Sequence, residues 1–169
     1  STDYIAWVQD TTGTLSEPSL PTADSLELAY QGLDDYKAIG DSLIYNPARF
    51  KPLFGPKAAS ALRGTIKVIK NSNTSASDSE IRSAVLAAMN NYFNVNNWDF
   101  GDTFYFSELA AYIHSQIGDI VSSVVLVPLS TQKAFGDLYE IRSAPNQIFV
   151  NAATVNDIEV ISEIGRAHV

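Results

Sequence analysis

With 169 residues, 46% of them apolar and 18% charged, the chain has the size and composition of one ordinary globular domain. Such a length buries a hydrophobic core without metal or disulfide staples. Eleven Lys and Arg against 19 Asp and Glu give a formal charge of −8, which repels phosphate backbones and anionic lipid headgroups, so neither nucleic acid nor a membrane is expected as a partner. The absence of cysteine removes disulfides, thiolate ligands and thiol nucleophiles, and no apolar run reaches the roughly 18 residues of a bilayer-spanning helix.

Residues 1–24 read as an extended arm. Tyr4-Ile5-Ala6-Trp7-Val8 is a short apolar run able to pair as a strand, and Asp10 to Pro21, rich in Thr, Ser, Gly and Pro, reads as a loop. Trp7 is expected to dock, on its own body or on a neighbour. The first residues lack the basic-then-apolar pattern of a leader, and the missing initiator Met suits a processed chain or a piece of a longer one. Beyond Asp24, the alternation of Leu26, Leu28 and Tyr30 fits either strand or helix. Asp34 to Ile39 reads as a short helix, with acids at its positive end and Gly40 as its stop. Residues 25–64 as a whole form an irregular packed segment. Pro47, Pro52 and Pro56 forbid a long regular element there, while Phe50, Leu53 and Phe54 demand burial.

Residues 65–169 are far more regular and form the expected α+β assembly domain. Thr65 to Lys70 alternates apolar and polar, the pattern of a half-buried strand. Ser77 three residues before Glu80 is a capping box, and Ile81, Val85, Leu86, Met89, Tyr92 and Phe93 follow at helical spacing. Asn94 to Asn97 ends that helix. A turn around Gly101 leads into a short strand, Thr103 to Phe106. Ser107 is then placed to cap a second helix, whose apolar face is Leu109, Tyr112, Ile113 and Ile117 and whose stop is Gly118. Ile120 to Leu129 is Val-rich and reads as the central strand. Leu138–Arg142 and Gln147–Asn151 read as a hairpin through Ala144-Pro145-Asn146, and Asp157–Ser162 as a last strand. The order predicts a two-layer α+β body, two main helices on one face of a mixed or antiparallel sheet, plus the N-terminal extended arm.

Residues able to do chemistry are sparse. There are two histidines: His114 sits on the second helix among Ala110, Ala111 and Ile117, and His168 lies next to the C-terminus. Neither has a second His or a Cys to share a metal with. Asp99, Asp102 and Glu108 place three carboxylates within ten residues, a set that could hold Ca²⁺ or form the acid–base pair of a small hydrolase. Their spacing matches no known ion loop, and each has an ordinary role in a turn or first helical turn. Asp99-Phe100-Gly101 copies a kinase metal motif without the Gly-rich or catalytic loops that give it meaning. No Gly-x-Ser-x-Gly elbow or phosphate loop occurs, so no catalytic residue, cofactor, metal or small-molecule substrate is assigned. The aromatic residues are the anomaly, seven of them in the fifteen positions from Tyr92 to Phe106. Trp7, Trp98, Phe100 and Phe104 are the candidate contact residues of a subunit interface, with burial in the core as the alternative.

The stretches Ile81 to Val85, Tyr92-Phe93, Trp98-Asp99-Phe100-Gly101-Asp102-Thr103-Phe104-Tyr105-Phe106-Ser107-Glu108-Leu109, Leu138 to Pro145 and Asp157 to Val160 resemble the C-terminal part of baseplate wedge proteins of contractile-tailed phages. Leu33-Asp34-Asp35-Tyr36 is similar to a short acidic-Tyr element of the baseplate J-like family, and the overall pattern resembles the ring-forming wedge subunits of T-even-type phages. The likeness spans about residues 33–162, with Trp-Asp-Phe-Gly its most specific part. It implies a structural, non-enzymatic role in the virion's tail baseplate, assembled in the bacterial host cytoplasm. The implied partners are copies of the chain itself, as a homodimer or ring around the hub, and other baseplate wedge proteins.

Overall fold

A computed structural model describes residues 2–32, 48–130, 135–136 and 139–162. Among them are four helices and seven strands, an α+β architecture with mixed sheets. The helix expected over 34–39 and the C-terminal His168 lie outside the described residues.

The centre of the body is a three-stranded sheet of β2 (Gly64–Lys70), β4 (Val121–Pro128) and β7 (Ile158–Ser162), in the order β4-β2-β7. β2 runs antiparallel to β4 and parallel to β7, so the sheet is mixed. The alternation in β2 puts Ile66 and Val68 in the core and leaves Thr65 and Lys67 on the opposite face. The helices α3 (Asp78–Tyr92) and α4 (Phe106–Ile117) cover only the inner face, α3 against β7 and α4 against β4. They bury Ile81, Val85, Met89, Leu109 and Ile113. No helix among the described residues is long and apolar enough to cross a membrane.

The capping box forms as predicted. Glu80 N–H donates to Ser77 Oγ at 3.2 Å, and Ser77 N–H to Glu80 Oε2 at 2.6 Å. The second helix starts earlier than Ser107: Tyr105 occupies the cap position without a side-chain hydrogen bond, and Phe106 begins the helix. Burial of Phe106 drives that start, since its ring belongs to the core.

Three other expectations change. The Val-rich strand β4 is an edge, not the centre, and β2 takes the middle. The expected hairpin does not exist. β5 (Glu140–Arg142) pairs antiparallel with β3 (Thr103–Tyr105), while β6 (Gln147–Asn151) pairs parallel with β1 (Arg49–Leu53). Ala144 to Gln147 still turns the chain, with Gln147 N–H on Ala144 O at 2.9 Å, but the turn hands the chain from one small sheet to the other. β1 also runs through Pro52. Arg49 N–H donates to Asn146 O and Ala152 N–H to Leu53 O, so the odd positions of β1 face β6 and the proline nitrogen faces away.

The N-terminal segment is not extended at its start. Thr2–Val8 is helix α1, and Ala23–Ala29 is helix α2, capped by Thr22. Asp10 to Pro21 between them is irregular, as expected. α1 lies on the β1–β6 sheet. Tyr4 stacks on Phe50 with centroids 4.5 Å apart, Val8 is buried, and Gln9 Nε2 donates to Asn90 Oδ1 at 2.7 Å and Asn151 O at 3.1 Å. Asp10 closes the turn behind it. Hydrogen bonds from the Thr12 hydroxyl and the Leu15 and Thr12 amides hold its carboxyl well below the usual carboxylate range. A docked helix predicts that Val8→Ala costs about 1.5 kcal/mol in chemical denaturation, two buried methyl groups' worth. An undocked arm would leave the midpoint unchanged.

Candidate functional site

The Trp-Asp-Phe-Gly stretch and its surroundings divide into an inward and an outward set. A 3-10 turn, Val95–Asn97, carries the chain from α3 to Trp98, with Asn96 N–H capped by Asn94 Oδ1 at 3.0 Å. The Trp98 indole N–H donates to Tyr92 O at 2.9 Å, and its ring stacks on Phe93 at 5.5 Å and meets the edge of Phe149 at 5.2 Å. Phe104 is the middle residue of β3, opposite Ile141, and the strand's alternation turns it fully inward. Its ring lies 5.8 Å from Phe54, 5.4 Å from Phe93 and 6.2 Å from Phe149. Phe104 is therefore core and offers no contact surface, while Trp98 packs against the core and stays partly exposed in the lining of a depression with Tyr92 and Tyr112.

Trp7 is partly covered by its own chain. Lys57 Nζ lies 4.8 Å from the ring centroid and donates to Trp7 O, and Tyr4 packs beside it at 5.4 Å. The docking expected of Trp7 is thus, at least in part, onto its own body.

Phe100 faces outward. Asp102 N–H approaches Asp99 O at 3.4 Å, and Asp102 Oδ2 accepts from Asp99 N–H at 2.7 Å, which closes a turn. Gly101 takes φ of +79°, a conformation that disfavours side chains, and its N–H reaches Gln147 O at 3.2 Å. Ser143 ties the turn down by donating to Asp102 O from its amide and its hydroxyl, at 3.0 and 2.9 Å. The result holds Phe100 53% exposed beside Ala48, Pro145 and Asn146, which line a depression of about 450 Å³.

Asp99 and Asp102 meet in this turn, but the three carboxylates do not gather into one cluster. Asp102 and Glu108 line a depression of about 410 Å³ with Tyr92, Thr103, Tyr105 and Tyr112, and Asp99 does not. Among the described residues no group of three or more His, Asp or Glu side chains is close enough to hold a cation. Asp102 serves the turn, and Glu108 faces the Tyr92 phenol. Burial, then the Glu108 charge and hydrogen bond, push Tyr92 up to about 12. Residue spacing alone gives no sign of the Tyr92–Glu108 pair, because it joins α3 to α4.

Two predictions follow from this division. Phe104→Ala is expected to lose about 3–5 kcal/mol as a core truncation. Phe100→Ala should stay within about 0.5 kcal/mol as a surface change. Urea denaturation of both variants checks the pair. The second concerns alkaline pH. A phenol with a folded-state pKa above its unfolded value favours folding fully below pH about 10 and loses that contribution as pH climbs through about 12. Thermal midpoints between pH 9 and 12 should fall less steeply in Tyr92→Phe than in the parent; equal slopes would refute the assignment.

No family model matches the chain, and no curated protein matches it either.

Proposed function

We propose that this chain is a non-enzymatic structural subunit of a phage tail baseplate wedge, which associates with copies of itself and docks neighbouring wedge proteins in the virion. The resemblance of Trp98 to Leu109 and its flanking stretches to baseplate wedge proteins motivates the reading. The observation that carries it in the fold is the fixed, outward Phe100. Asp102, Gly101 and Ser143 spend hydrogen bonds and a glycine on holding a turn whose apolar residue is 53% exposed beside Pro145. A large apolar side chain displayed on a rigid turn loses little entropy on docking and so suits a contact anchor.

Mechanically, such a subunit converts local affinity into a closed structure. Apolar contacts pair copies around a symmetry axis, and closure of the ring makes each contact reinforce the others. The carboxylate alternative, with Asp99, Asp102 and Glu108 holding Ca²⁺ or hydrolysing a substrate, has the weaker support, since among the described residues no three such side chains gather closely enough to hold a cation and Asp102 is engaged in its own turn.

Light scattering over a dilution series tests the proposal. A dimer or larger species persisting to low micromolar concentration is the expected result. A clean monomer across the whole range would overturn self-association through these residues.

A further inference from the structure

The sheet covered by α3 and α4 on one side is open on the other. Its open face carries Thr65, Lys67 and Ile69 of β2, Ser123, Val125 and Val127 of β4, and Glu159 and Ile161 of β7. Val125 and Leu129 are 48% and 62% exposed, and Val127 and Ile161 are exposed as well. Among the described residues both outer strands pair on one long edge only, but their other edges differ. β7 carries Glu159, and Arg82 Nε donates to Ile158 O at 3.2 Å, so a side chain already occupies part of that edge. β4 has no such cover among the described residues.

The hydrogen-bond direction of β4 follows from its pairing. Leu129 N–H donates to Arg63 O at 3.0 Å. Antiparallel ladders bond alternate residues, so Val127, Val125 and Ser123 point their amides and carbonyls at β2. Val124 and Leu126 then point theirs outward. Pro128, which has no N–H, sits on the same outward phase, where its missing donor breaks no bond within the sheet. Natural edge strands are usually guarded by charge, a bulge or proline. Here the bulge at Ser122 and Pro128 guard only the ends. From Val121 to Leu129 there is no charged residue, in a chain whose formal charge is −8.

We propose that β4 is the self-association edge: two copies pair antiparallel along residues 122–128, about a two-fold axis at Val125, and join their three-stranded sheets into one continuous sheet. This deepens the self-association reading above and rests on it. The register centred on Val125 sets Val124 against Leu126 of the second copy and leaves Ser122 and Pro128 at the ends, where pairing stops.

Charge favours a second copy as the occupant. Two bodies of net charge −8 repel over most of their surfaces, whereas this edge brings no like charges into contact. Lys67, the register partner of Val125 on β2, is paired with Glu159 at 3.4 Å within its own sheet. On the joined open face Val125 meets Val125 of the second copy, and Val127 lies next to Ser123 of the second copy.

Val125→Glu tests this directly. The new carboxylate would lie beside Lys67 within the monomer but against its own copy across the axis, so the thermal midpoint of the monomer is retained and the dimer mass is lost. Mixing Val125→Glu with Val125→Lys, two variants that each repel themselves, is expected to restore the dimer mass. Because the chain has no cysteine, Val125→Cys offers a second readout. Opposed residues in a non-hydrogen-bonded antiparallel pair have Cα atoms about 4.5 Å apart, within disulfide reach. Diamide should therefore give a disulfide-linked dimer from Val125→Cys and none from Leu28→Cys on α2. A parent dimer that survives Val125→Glu and gives no Val125→Cys crosslink would place self-association elsewhere and overturn this inference alone. A parent that is monomeric throughout would overturn the self-association reading and this edge with it.

Discussion

The corner at Phe54 and Gly55 is the constraint on which the rest of the body depends. Phe54 takes φ of +77°, and Gly55 N–H reaches back to Leu53 O at 3.1 Å, the geometry of the rare positive-φ γ-turn. A non-glycine residue in that conformation costs on the order of 1–3 kcal/mol, so something must hold it. The Phe54 ring does. It is fully buried against Phe93, Phe104 and Phe135, at 6.1, 5.8 and 6.3 Å. Next to it, Gly55 passes so close to Ala152 that an added Cβ would lie 1.7 Å from the Ala152 carbonyl oxygen. Phe54 N–H then donates to Leu62 O, and Gly64 N–H to Phe54 O. One tight turn thereby ends β1, docks on the chain just past the end of β6, and leads on to β2.

That corner explains why the aromatic excess is mostly structural. Phe54 enters the space between the small β1–β6 sheet and the helices, and Phe93, Trp98, Phe104 and Phe149 close around it. Rings in edge and stacked contact fill a wide gap with few side chains and contribute beyond their buried area. The Trp-Asp-Phe-Gly stretch is thus a clamp with two faces. Trp98 anchors it inward, and Asp102 and Gly101 hold Phe100 outward. The same four letters supply a core-packed residue and a surface residue because Phe100 sits on the Asp99–Asp102 turn while Trp98 precedes it.

Local patterns carried the parts of the fold that local physics decides. The Ser77–Glu80 box is a bonding pattern completed within a few residues, and the alternation of Thr65 to Lys70 fixes which side chains face inward whatever the strand pairs with; both are realised. What could not be read were the long-range pairings. Gln147–Asn151 looked like half of a hairpin because its neighbour in sequence, Glu140–Arg142, is a strand; its real partner is Arg49–Leu53, nearly a hundred positions away and disguised by Pro52. The parallel pairing leaves no turn signature. β4 looked central because it is Val-rich, yet Val125 and Val127 face the open side. Of the four aromatics singled out as contacts, only Phe100 is largely exposed. Side-chain type marks which residues dislike water, and only the fold tells which of them escape it.

The open sheet face and the Phe100 corner complement each other under the proposed reading. A subunit in a closed ring needs more than a single contact surface, since one two-fold contact used alone stops at a dimer. β4 offers a symmetric backbone edge, suited to pairing with itself. The Phe100–Pro145 corner offers an aromatic anchor beside a shallow depression, suited to a different surface. Their attachments also differ. β4 is bonded along its length to β2, whereas Phe100 is held by the Asp99–Asp102 turn and by Ser143 and Gln147. A change at one contact therefore need not pass through the other. The strongly negative remainder of the surface then works in the same direction, because repulsion between copies discourages every approach except those led by uncharged patches.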